Sequence, residues 1–373
     1  MHTIADDAAA GGALSLQSYF FDHSNRETHM KNRALFGRKY LDIQIRDLEL
    51  PAPGPTQALI EIKACGVCGT DLNFIRDWEE DYMPLGHEIA GVVLETGSAV
   101  TGIKPGTKVI VEDCTMCGGC PDCKAGHPEL CRRMHSINGV PGMGKYILAD
   151  QAALVPFDGV DFRFAALTEP LAVACCAVLS ADIPLGGTVA VVGPGPIGLL
   201  CAKVCLLRGA GRVFLLGHRN VTPAQKARLE LAEKLGCHKI VLTEKKDWEK
   251  EILAECPSGV DRVIVTSPPR SIDDGLKVIR YGGTVVFLGL SFKPGENLIS
   301  FDVNHAIFNK ITLKPSFAEP AINFPLSFEL IRSGAVPAEL FQTHFCAFDD
   351  CRSLFGSVLK GELPVIKPVF LPK

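Results

Sequence analysis

The stretch Val189-Ala-Val-Val-Gly193-Pro-Gly195-Pro-Ile-Gly198 decides the fold of this 373-residue chain. Four apolar residues suited to a strand precede a glycine-rich turn, and an apolar, helix-like segment follows the turn. In such a turn the first glycine makes the tight bend, the second lets a pyrophosphate approach, and the third lets the helix pack on the sheet. The free amides at the helix start favour phosphate binding. The residues predicted to bind a dinucleotide here are Gly193, Gly195, Pro196, Ile197 and Gly198.

Strand-like and helix-like apolar segments alternate after this turn. The strand-like runs lie at 213–216, 240–243, 263–265, 284–288 and 311–313, and a helix-like segment lies at 223–235. This alternation predicts an α/β region with a doubly wound parallel sheet. Before the turn, from about Met30, short β-rich runs at 58–63, 89–94 and 108–111 are separated by Gly and Pro. That part of the chain is predicted to be a separate, β-rich region.

The end of the second strand of the α/β region bears on the choice of cofactor. The strand ends at Gly217-His218-Arg219, where NAD-selective proteins usually carry an acidic residue that binds the ribose diol. No acidic residue is present, and Arg219 can pair with a 2′-phosphate instead. The cofactor is therefore predicted to be NAD(P), with a slight preference for NADP. Because Gly217 is neutral, NAD also remains admissible.

Four cysteines lie in a C-x2-C-x2-C-x7-C pattern, at Cys117, Cys120, Cys123 and Cys131. Thiolates bind Zn²⁺ in a tetrahedron, and two-residue gaps let a tight loop direct consecutive sulfurs at one centre. Since protein fills all four positions, the predicted zinc site is structural. An iron–sulfur cluster and four unligated thiols are the alternatives. Cys114 is a fifth cysteine nearby, and it is either a surplus thiol or a competing ligand.

A second set of candidate ligands lies upstream, in Cys65-Gly-Val-Cys68-Gly-Thr-Asp and in Gly86-His87-Glu88. A thiolate and an imidazole are ligands that a catalytic Zn²⁺ commonly takes, beside one further protein ligand and one open position. At an open position the metal acts as a Lewis acid on a substrate oxygen, which favours hydride loss from the adjacent carbon. Cys68 and His87 are therefore predicted to bind a catalytic zinc.

These residues carry a family resemblance. Gly86-His87-Glu88-x2-Gly91-x5-Gly97-x2-Val100 resembles the zinc alcohol dehydrogenase signature of the medium-chain dehydrogenase/reductase superfamily. The four-cysteine loop and the glycine turn are similar to features of the same family, from about residue 30 to the C-terminus. The resemblance implies a GroES-like catalytic domain at 30–170 and 317–373, interrupted by a Rossmann domain at 171–316. It also implies a homodimer or homotetramer. Residues 1–29, which are rich in Ala, Gly, Ser and Asp at first and then polar, are predicted from their composition to form an N-terminal extension.

The resemblance also assigns roles around the catalytic zinc. Glu88 would be a ligand or a nearby carboxylate, and Thr168-Glu169-Pro170-Leu171 resembles a motif of polyol and threonine dehydrogenases whose glutamate lies at the zinc. Thr70 would pass on the proton of the substrate hydroxyl. Asn73 stands where many relatives have histidine, and because an amide does not titrate, the relay would end in water or at another group. On local grounds alone Glu169 could be a helix-start carboxylate and Thr70 a turn hydroxyl.

The predicted function is zinc-dependent oxidation of a secondary alcohol to a ketone, with NAD(P) as the hydride acceptor. The small-molecule substrate would bind in the cleft between the two domains. A polyol, cyclitol or sugar hydroxyl is the favoured substrate, and threonine or a simple alcohol is the alternative. A cofactor-binding homologue without turnover is a third, different class of function.

Charge and composition exclude several other classes. The formal net charge of −4, without a run of Lys and Arg, disfavours binding to nucleic acid or to anionic membranes. Residues 183–202 carry no charge, but their prolines and glycines would break a membrane-spanning helix. The first twelve residues contain no Lys or Arg, so they do not resemble a signal peptide. With 15 cysteines and no secretion signal, the expectation is a cytoplasmic protein with reduced thiols.

Overall fold

The structure is a computed structural model that describes residues 29–137, 139–218 and 221–373. Arg219 and residues 1–28 of the predicted N-terminal extension lie outside the described residues. The strands are β1 (Met30–Arg38), β2 (Asp42–Leu50), β3 (Gln57–Gly66), β4 (Met83–Pro84), β5 (Glu88–Thr96), β6 (Lys108–Val111), β7 (Cys114–Thr115), β8 (His135–Ser136), β9 (Tyr146–Asp150), β10 (Leu154–Pro156), β11 (Thr188–Val192), β12 (Arg212–Gly217), β13 (Lys239–Leu242), β14 (Val260–Val265), β15 (Ile279–Phe287), β16 (Thr312–Pro315), β17 (His344–Cys346) and β18 (Pro368–Phe370).

Helices are concentrated in the second half of the chain. The α-helices are α1 (Gly69–Asn73), α2 (Pro121–Lys124), α3 (Phe162–Ala165), α4 (Thr168–Ala181), α5 (Pro196–Leu207), α6 (Pro223–Leu235), α7 (Glu249–Leu253), α8 (Ile272–Leu276), α9 (Val303–Phe308), α10 (Phe324–Arg332), α11 (Ala338–Phe341) and α12 (Cys351–Lys360). One π-helix, Phe74–Trp78, continues directly from α1. The short 3₁₀ turns are Pro128–Leu130, Gln151–Ala153 and Pro269–Ser271.

The β-rich region is built on a seven-stranded sheet in the order β10-β6-β5-β3-β18-β17, with β9 beside the first half of β3. β3 and β5 run antiparallel, and Gly66 at the end of β3 lies opposite Glu88 at the start of β5. The chain entering β5 and the chain leaving β3 therefore meet at one end of this pair. β18 pairs with the same end of β3, so a C-terminal segment also reaches this point. A separate three-stranded sheet has the order β2-β1-β4.

The second region is a six-stranded parallel sheet in the order β13-β12-β11-β14-β15-β16. Counted from the first strand, this is the order 3-2-1-4-5-6 of doubly wound dinucleotide-binding sheets. Apolar side chains of α4, α5 and α6 cover one face of the sheet, and α7 and α8 cover the other. The parallel, doubly wound sheet predicted from alternating segments is therefore confirmed.

Helix α4 connects the two regions. Leu171, Ala174 and Val178 belong to the apolar cluster on the parallel sheet, whereas Ala172 belongs to a cluster that includes Ala90 of the β-rich region. The domain boundary predicted at 170/171 lies inside this helix.

Strand β15 is longer than predicted. It begins at Ile279, whereas the sequence indicated a start at 284. Its pairing with β14 shifts register between Val260 and Arg262, next to the glycines at 282 and 283. The Gly-Gly pair has the composition of a turn, but here it is part of an irregular strand.

Among the residues that the structure describes, one helical stretch, Phe162–Ala181, is long and apolar enough to cross a membrane by length and composition. It comprises α3 and α4, and 72% of its apolar window is buried inside the protein. That burial is typical of a core helix. The uncharged stretch at 183–202 forms strand β11 and the start of α5, as predicted.

Candidate functional site

The antiparallel pairing of β3 and β5 brings Cys68, His87 and Glu88 together. One donor atom from each residue lies within 4.8 Å of the others. Cys68 is the N-cap of α1, and its Sγ accepts a hydrogen bond of 3.4 Å from the backbone N–H of Thr70. The side chain of His87 is 19% exposed, whereas that of Glu88 is fully buried. A thiolate, an imidazole and a carboxylate in this geometry can hold a zinc ion with one position open.

Asp71 fixes both segments that carry these donors. Its Oδ2 accepts a hydrogen bond of 3.2 Å from the N–H of Cys68, and its Oδ1 accepts one of 3.2 Å from the N–H of Gly86. The same Oδ1 lies 3.9 Å from Nδ1 of His87. Sequence reasoning gave Asp71 no role, although an acidic residue three positions after Cys68 is the spacing of a capping box.

Lys367 is a second residue that sequence reasoning missed. Its buried ammonium donates to Oε1 of Glu88 in a short contact, and the other oxygen, Oε2, is buried without a hydrogen-bond partner among the described residues. Burial alone lowers the pKa of Lys367, but the nearby Glu88 and Cys68 raise it above its usual value. Because Lys367 lies 279 residues from Glu88, no local pattern could have linked them.

The electrostatics of this group suit a divalent cation. Burial alone lowers the pKa of the His87 imidazole, but the Cys68 thiolate and the Asp71 carboxylate raise it well above its usual range. Glu169 lies in the first turn of α4, outside the three-residue group, and its pKa is raised well above normal by burial and by nearby carboxylates. The pKa values of His87 and Glu169 are raised because several negatively charged groups are buried close together. A bound metal cation would offset the same negative charge.

Asp113 is one of those carboxylates and was also missed. It lies between β6 and β7 and is 7% exposed. Burial raises its pKa to about 6, against the opposing effect of His87. No motif in the sequence marks this residue.

Thr70 and Asn73, predicted to act on the substrate proton, both lie on α1. Thr70 is in the first turn, beside the Cys68 sulfur, and Asn73 is the last residue of the helix. Both residues are half-buried.

The four cysteines of the C-x2-C-x2-C-x7-C pattern also converge, with their sulfurs within 4.8 Å of one another. Cys120 Sγ lies 3.9 Å from Cys131 Sγ, and it accepts a hydrogen bond of 3.5 Å from the N–H of Cys123. Hydrogen bonds from the Gly119 and Cys120 amides lower the pKa of Cys117 to about 6, which favours its thiolate form. Four thiols with no open position fit a structural zinc site.

Cys114 does not join this group. Its Sγ lies 3.4 Å from Sδ of Met134, and the side chain is buried. Burial raises the pKa of Cys114, and its sulfur is not among the four that lie within 4.8 Å of one another.

The glycine turn has the shape that a bound pyrophosphate requires. Gly193 has a φ of 109°, and a side chain at Gly198 would overlap the Gly193 carbonyl oxygen. A side chain at Gly195 would meet nothing within 4 Å, so the space in front of the N-terminus of α5 is open. Four other described residues were predicted to contact the cofactor. Pro196 and Ile197 are the first residues of α5, Gly217 is buried at the end of β12, and His218 is exposed.

A doubly wound sheet with an open glycine turn, a Cys-His-Glu group and a closed four-cysteine loop defines a zinc-dependent nicotinamide dehydrogenase. Comparison with known families agrees. Residues 54–159 match the alcohol dehydrogenase GroES-like domain, and residues 196–332 match the zinc-binding dehydrogenase domain. The chain belongs to the zinc-dependent medium-chain dehydrogenase family, in its polyol dehydrogenase branch.

Individual relatives cover most of the chain. A probable D-xylulose reductase A of Neosartorya fischeri is 32% identical over 343 residues, which is 86% of this chain and 92% of the relative. The L-galactonate-5-dehydrogenase of Escherichia coli is 32% identical over 308 residues, 79% of this chain and 86% of the relative. A zinc-binding dehydrogenase from Sinorhizobium meliloti, solved with bound NADP, has a TM-score of 0.79 and 27% identity and covers 92% and 100% of the two chains.

These comparisons confirm the predicted family, the GroES-like and Rossmann fold class, and enzymatic activity. The chain is an NAD(P)-dependent, zinc-dependent oxidoreductase of secondary alcohols. They favour the polyol branch over the threonine and simple-alcohol alternatives, and they do not distinguish NAD from NADP.

Proposed function

We propose that this enzyme oxidises one secondary hydroxyl of a polyol, cyclitol or sugar-derived substrate to a ketone, at a zinc site formed by Cys68, His87 and Glu88. The observation that carries the proposal is the convergence of these three donors within 4.8 Å at the paired ends of β3 and β5. Glu169 is proposed to act at the same zinc, directly or through water. The names of the D-xylulose and L-galactonate relatives support a polyhydroxylated substrate.

The side chains around the site divide the remaining work. A bound Zn²⁺ would supply Lewis acidity toward the substrate oxygen. The Thr70 hydroxyl is proposed to take the substrate proton at its Oγ and to pass it on, since a hydroxyl both accepts and donates. Asn73 can orient a water by hydrogen bonding, but its amide does not titrate. Lys367 offsets the negative charge of Glu88, and this pairing favours the ionised form of the Glu88 carboxylate, which is the form that binds a metal.

Two further assignments complete the metal and cofactor sites. Cys117, Cys120, Cys123 and Cys131 are proposed to hold a structural zinc. The dinucleotide is proposed to bind at the glycine turn, with Gly217, His218 and Arg219 near its adenosine ribose and a slight preference for NADP. The absence of a carboxylate at the end of β12, which ends at Gly217, supports that preference.

The proposed organisation is a catalytic domain at 30–170 and 317–373 and a Rossmann domain at 171–316, with α4 shared at the junction. We propose a cytoplasmic location, because all 15 cysteines are free thiols.

We also propose a homo-oligomer, formed at least in part along strand β16. This strand is the last of the parallel sheet, and no described strand pairs with its outer edge. Large apolar side chains beside it are exposed, including Ile307 at 63%, Phe308 at 76% and Phe317 at 65%. An open edge with exposed apolar side chains suits a two-fold contact with a second copy. Phe308→Glu should lower the mass measured by light scattering if this surface is the interface.

Metal analysis combined with a substrate screen tests the proposed activity. Polyols, cyclitols and sugar acids would be assayed beside threonine and simple alcohols, each with NAD and with NADP. Two zinc ions per chain and turnover of a polyhydroxylated substrate are the expected results. One zinc ion per chain without turnover would instead support a cofactor-binding protein with a structural zinc only.

A further inference from the structure

The loop that follows strand β15 contacts the π-helix that follows the Cys68 helix. The ring of Phe292 lies 5.0 Å from that of Trp78 and 6.4 Å from that of Phe74, measured between ring centroids. The next residue, Lys293, places its Nζ 2.6 Å from Oδ2 of Asp77. A cluster of three rings and one ion pair therefore connects the parallel-sheet region to the helical segment beside the zinc site.

The base of this loop is fixed beside the glycine turn. β11, β14 and β15 are parallel neighbours, so the loop and the turn emerge at the same edge of the sheet. A side chain at Gly289 would overlap the carbonyl oxygen of Ser267, and the Ser267 hydroxyl donates to the Val192 carbonyl at 3.3 Å. In doubly wound sheets the dinucleotide binds at this edge.

The π-helix is fixed from its other side by the tip of the β1–β2 hairpin. Tyr40 and Leu41 have φ values of 66° and 58°, in the left-handed region that bulky residues rarely adopt. Such backbone persists only where surrounding contacts impose it. The contacts are backbone hydrogen bonds from Lys39 to Glu79, from Tyr40 to Arg76 and from Leu41 to Ile75.

The connection itself is small and partly open to solvent. Phe292 is 62% exposed, and the side chains of Lys293 and Asp77 are 36% and 31% exposed. Ion pairs with this exposure change an equilibrium by only a small factor. Both anchors are therefore firm, whereas the contact between them can break and re-form.

We propose that the Asp77–Lys293 pair and the rings of Phe74, Trp78 and Phe292 form a latch that closes the cleft over the dinucleotide and must open for cofactor release. The proposal rests on the proposed function, because it assumes that a dinucleotide binds at the glycine turn. Asp77 and Lys293 are positioning residues, since they act through the loop and the π-helix.

The charge state of the pair supports this role. Burial alone raises the pKa of Asp77, but hydrogen bonds from Lys293 and Arg76 bring it below its usual value. Asp77 is thus a carboxylate at neutral pH, and the latch is ionic under the conditions of the assay.

A charge-reversal cycle tests the latch. The proteins compared are the zinc-loaded wild type, Asp77→Lys, Lys293→Asp and the double swap. Each is loaded with NADPH or NADH and mixed with excess oxidised cofactor in a stopped-flow instrument, and nicotinamide fluorescence gives the dissociation rate of the reduced cofactor. Each single variant places like charges opposite each other and should raise the dissociation rate by about fivefold. The double swap restores opposite charges and should return to within about twofold of the wild-type rate.

Lys277→Asp is the matched control, because Lys277 pairs with Asp273 at 2.9 Å on the parallel-sheet region alone. Wild-type release rates in both single variants, or a double swap as fast as the single variants, would overturn the latch. A wild-type enzyme that binds neither reduced cofactor would contradict the proposed function instead.

Discussion

The two candidate metal sites of this chain use similar donors but are assembled differently. The four-cysteine site lies entirely within residues 117–131, and backbone amides of the loop already point at its sulfurs. The Cys68, His87 and Glu88 site is formed where two antiparallel strands meet, and it depends on Lys367 from the far end of the chain. A local loop can organise its own ligands, whereas the dispersed site exists only once the sheet has formed.

This difference predicts separate responses to mutation. Damage to the dispersed site should affect activity or the stability of the whole fold, because its ligands lie where β3 and β5 pair and Glu88 is fully buried there. Damage to the loop should remove one metal ion and reduce stability, with a smaller effect on the chemistry. Four substitutions test this division, from the largest expected effect to the smallest.

Cys68→Ser should nearly abolish turnover. Loss of the thiolate removes one of three converging donors, and we expect kcat/KM to fall by roughly 10⁴-fold, equivalent to about 5.5 kcal/mol of transition-state stabilisation. Zinc content should fall from two ions per chain to one, measured by atomic emission, while the circular dichroism spectrum stays unchanged.

Cys65→Ala is the control for Cys68→Ser. Cys65 lies three residues upstream and is buried, but it does not belong to the converging group. It should retain both zinc ions and measurable turnover. If Cys65→Ala lost zinc and Cys68→Ser did not, the assignment of the dispersed site would be wrong.

Lys367→Met tests how strongly the dispersed site is tied to the fold. It removes the ammonium that pairs with Oε1 of Glu88 and leaves this buried oxygen without its donor, and such a loss lowers the free energy of unfolding by about 3 to 5 kcal/mol. Urea denaturation of the zinc-loaded enzyme measures this change. Lys39→Met is the control, because Lys39 pairs with the exposed Glu80, and its effect on the free energy of unfolding should be far smaller than that of Lys367→Met. Equal costs for the two variants would show that the buried pair has no special role.

Cys120→Ser tests the local site. Loss of one of four thiolates should release the loop metal and lower Tm by roughly 5 °C, since structural zinc contributes directly to folding stability. The remaining folded enzyme should keep kcat within about threefold of the wild type. Cys114→Ser is the matched control, because its sulfur contacts Met134 rather than the four-cysteine group, and it should keep both zinc ions. Complete loss of activity in Cys120→Ser would mean that the two sites are not independent.

The same contrast explains what could be predicted from the sequence. The four-cysteine pattern, the glycine turn and most segments of the parallel sheet depend on local spacing, and the structure has them where the spacing indicates. Helix α6, for instance, spans Pro223–Leu235 as predicted, because Thr222 caps it and Gly236 ends it in the left-handed region.

Residues that meet only through long-range pairing had no comparable signal. Lys367 reaches Glu88 through the pairing of β18 with β3, and Asp113 approaches His87 from the end of β6. The π-helix and its contact with Phe292 likewise depend on how the two regions face each other. Strand register and the packing of regions fix these contacts, and a single sequence does not display either.

Glu112→Gln is the mildest test, and it addresses the short link between the two sites. Glu112 directly follows the last residue of β6, just before Asp113 and five residues before Cys117. Burial raises its pKa to about 7, well above the value of an unfolded glutamate, so the folded state prefers the protonated form. The contribution of protonated Glu112 to the free energy of unfolding is complete below the pKa of the unfolded glutamate, and it is lost as pH rises through about 7.

Between about pH 4.5 and pH 7 the unfolded wild type therefore ionises Glu112 while the folded protein does not, so the free energy of unfolding should fall. A glutamine at this position does not ionise and should not show this fall. Relative to the wild type, Glu112→Gln should gain about 1 to 2 kcal/mol of unfolding free energy at pH 8 compared with pH 4.5, allowing for partial exposure. Denaturation of both proteins at each pH measures this difference, with Glu339→Gln as an exposed control on α11. A constant difference across the pH range would mean that Glu112 is ionised at little cost, and that the link between the sites is better hydrated than its burial indicates.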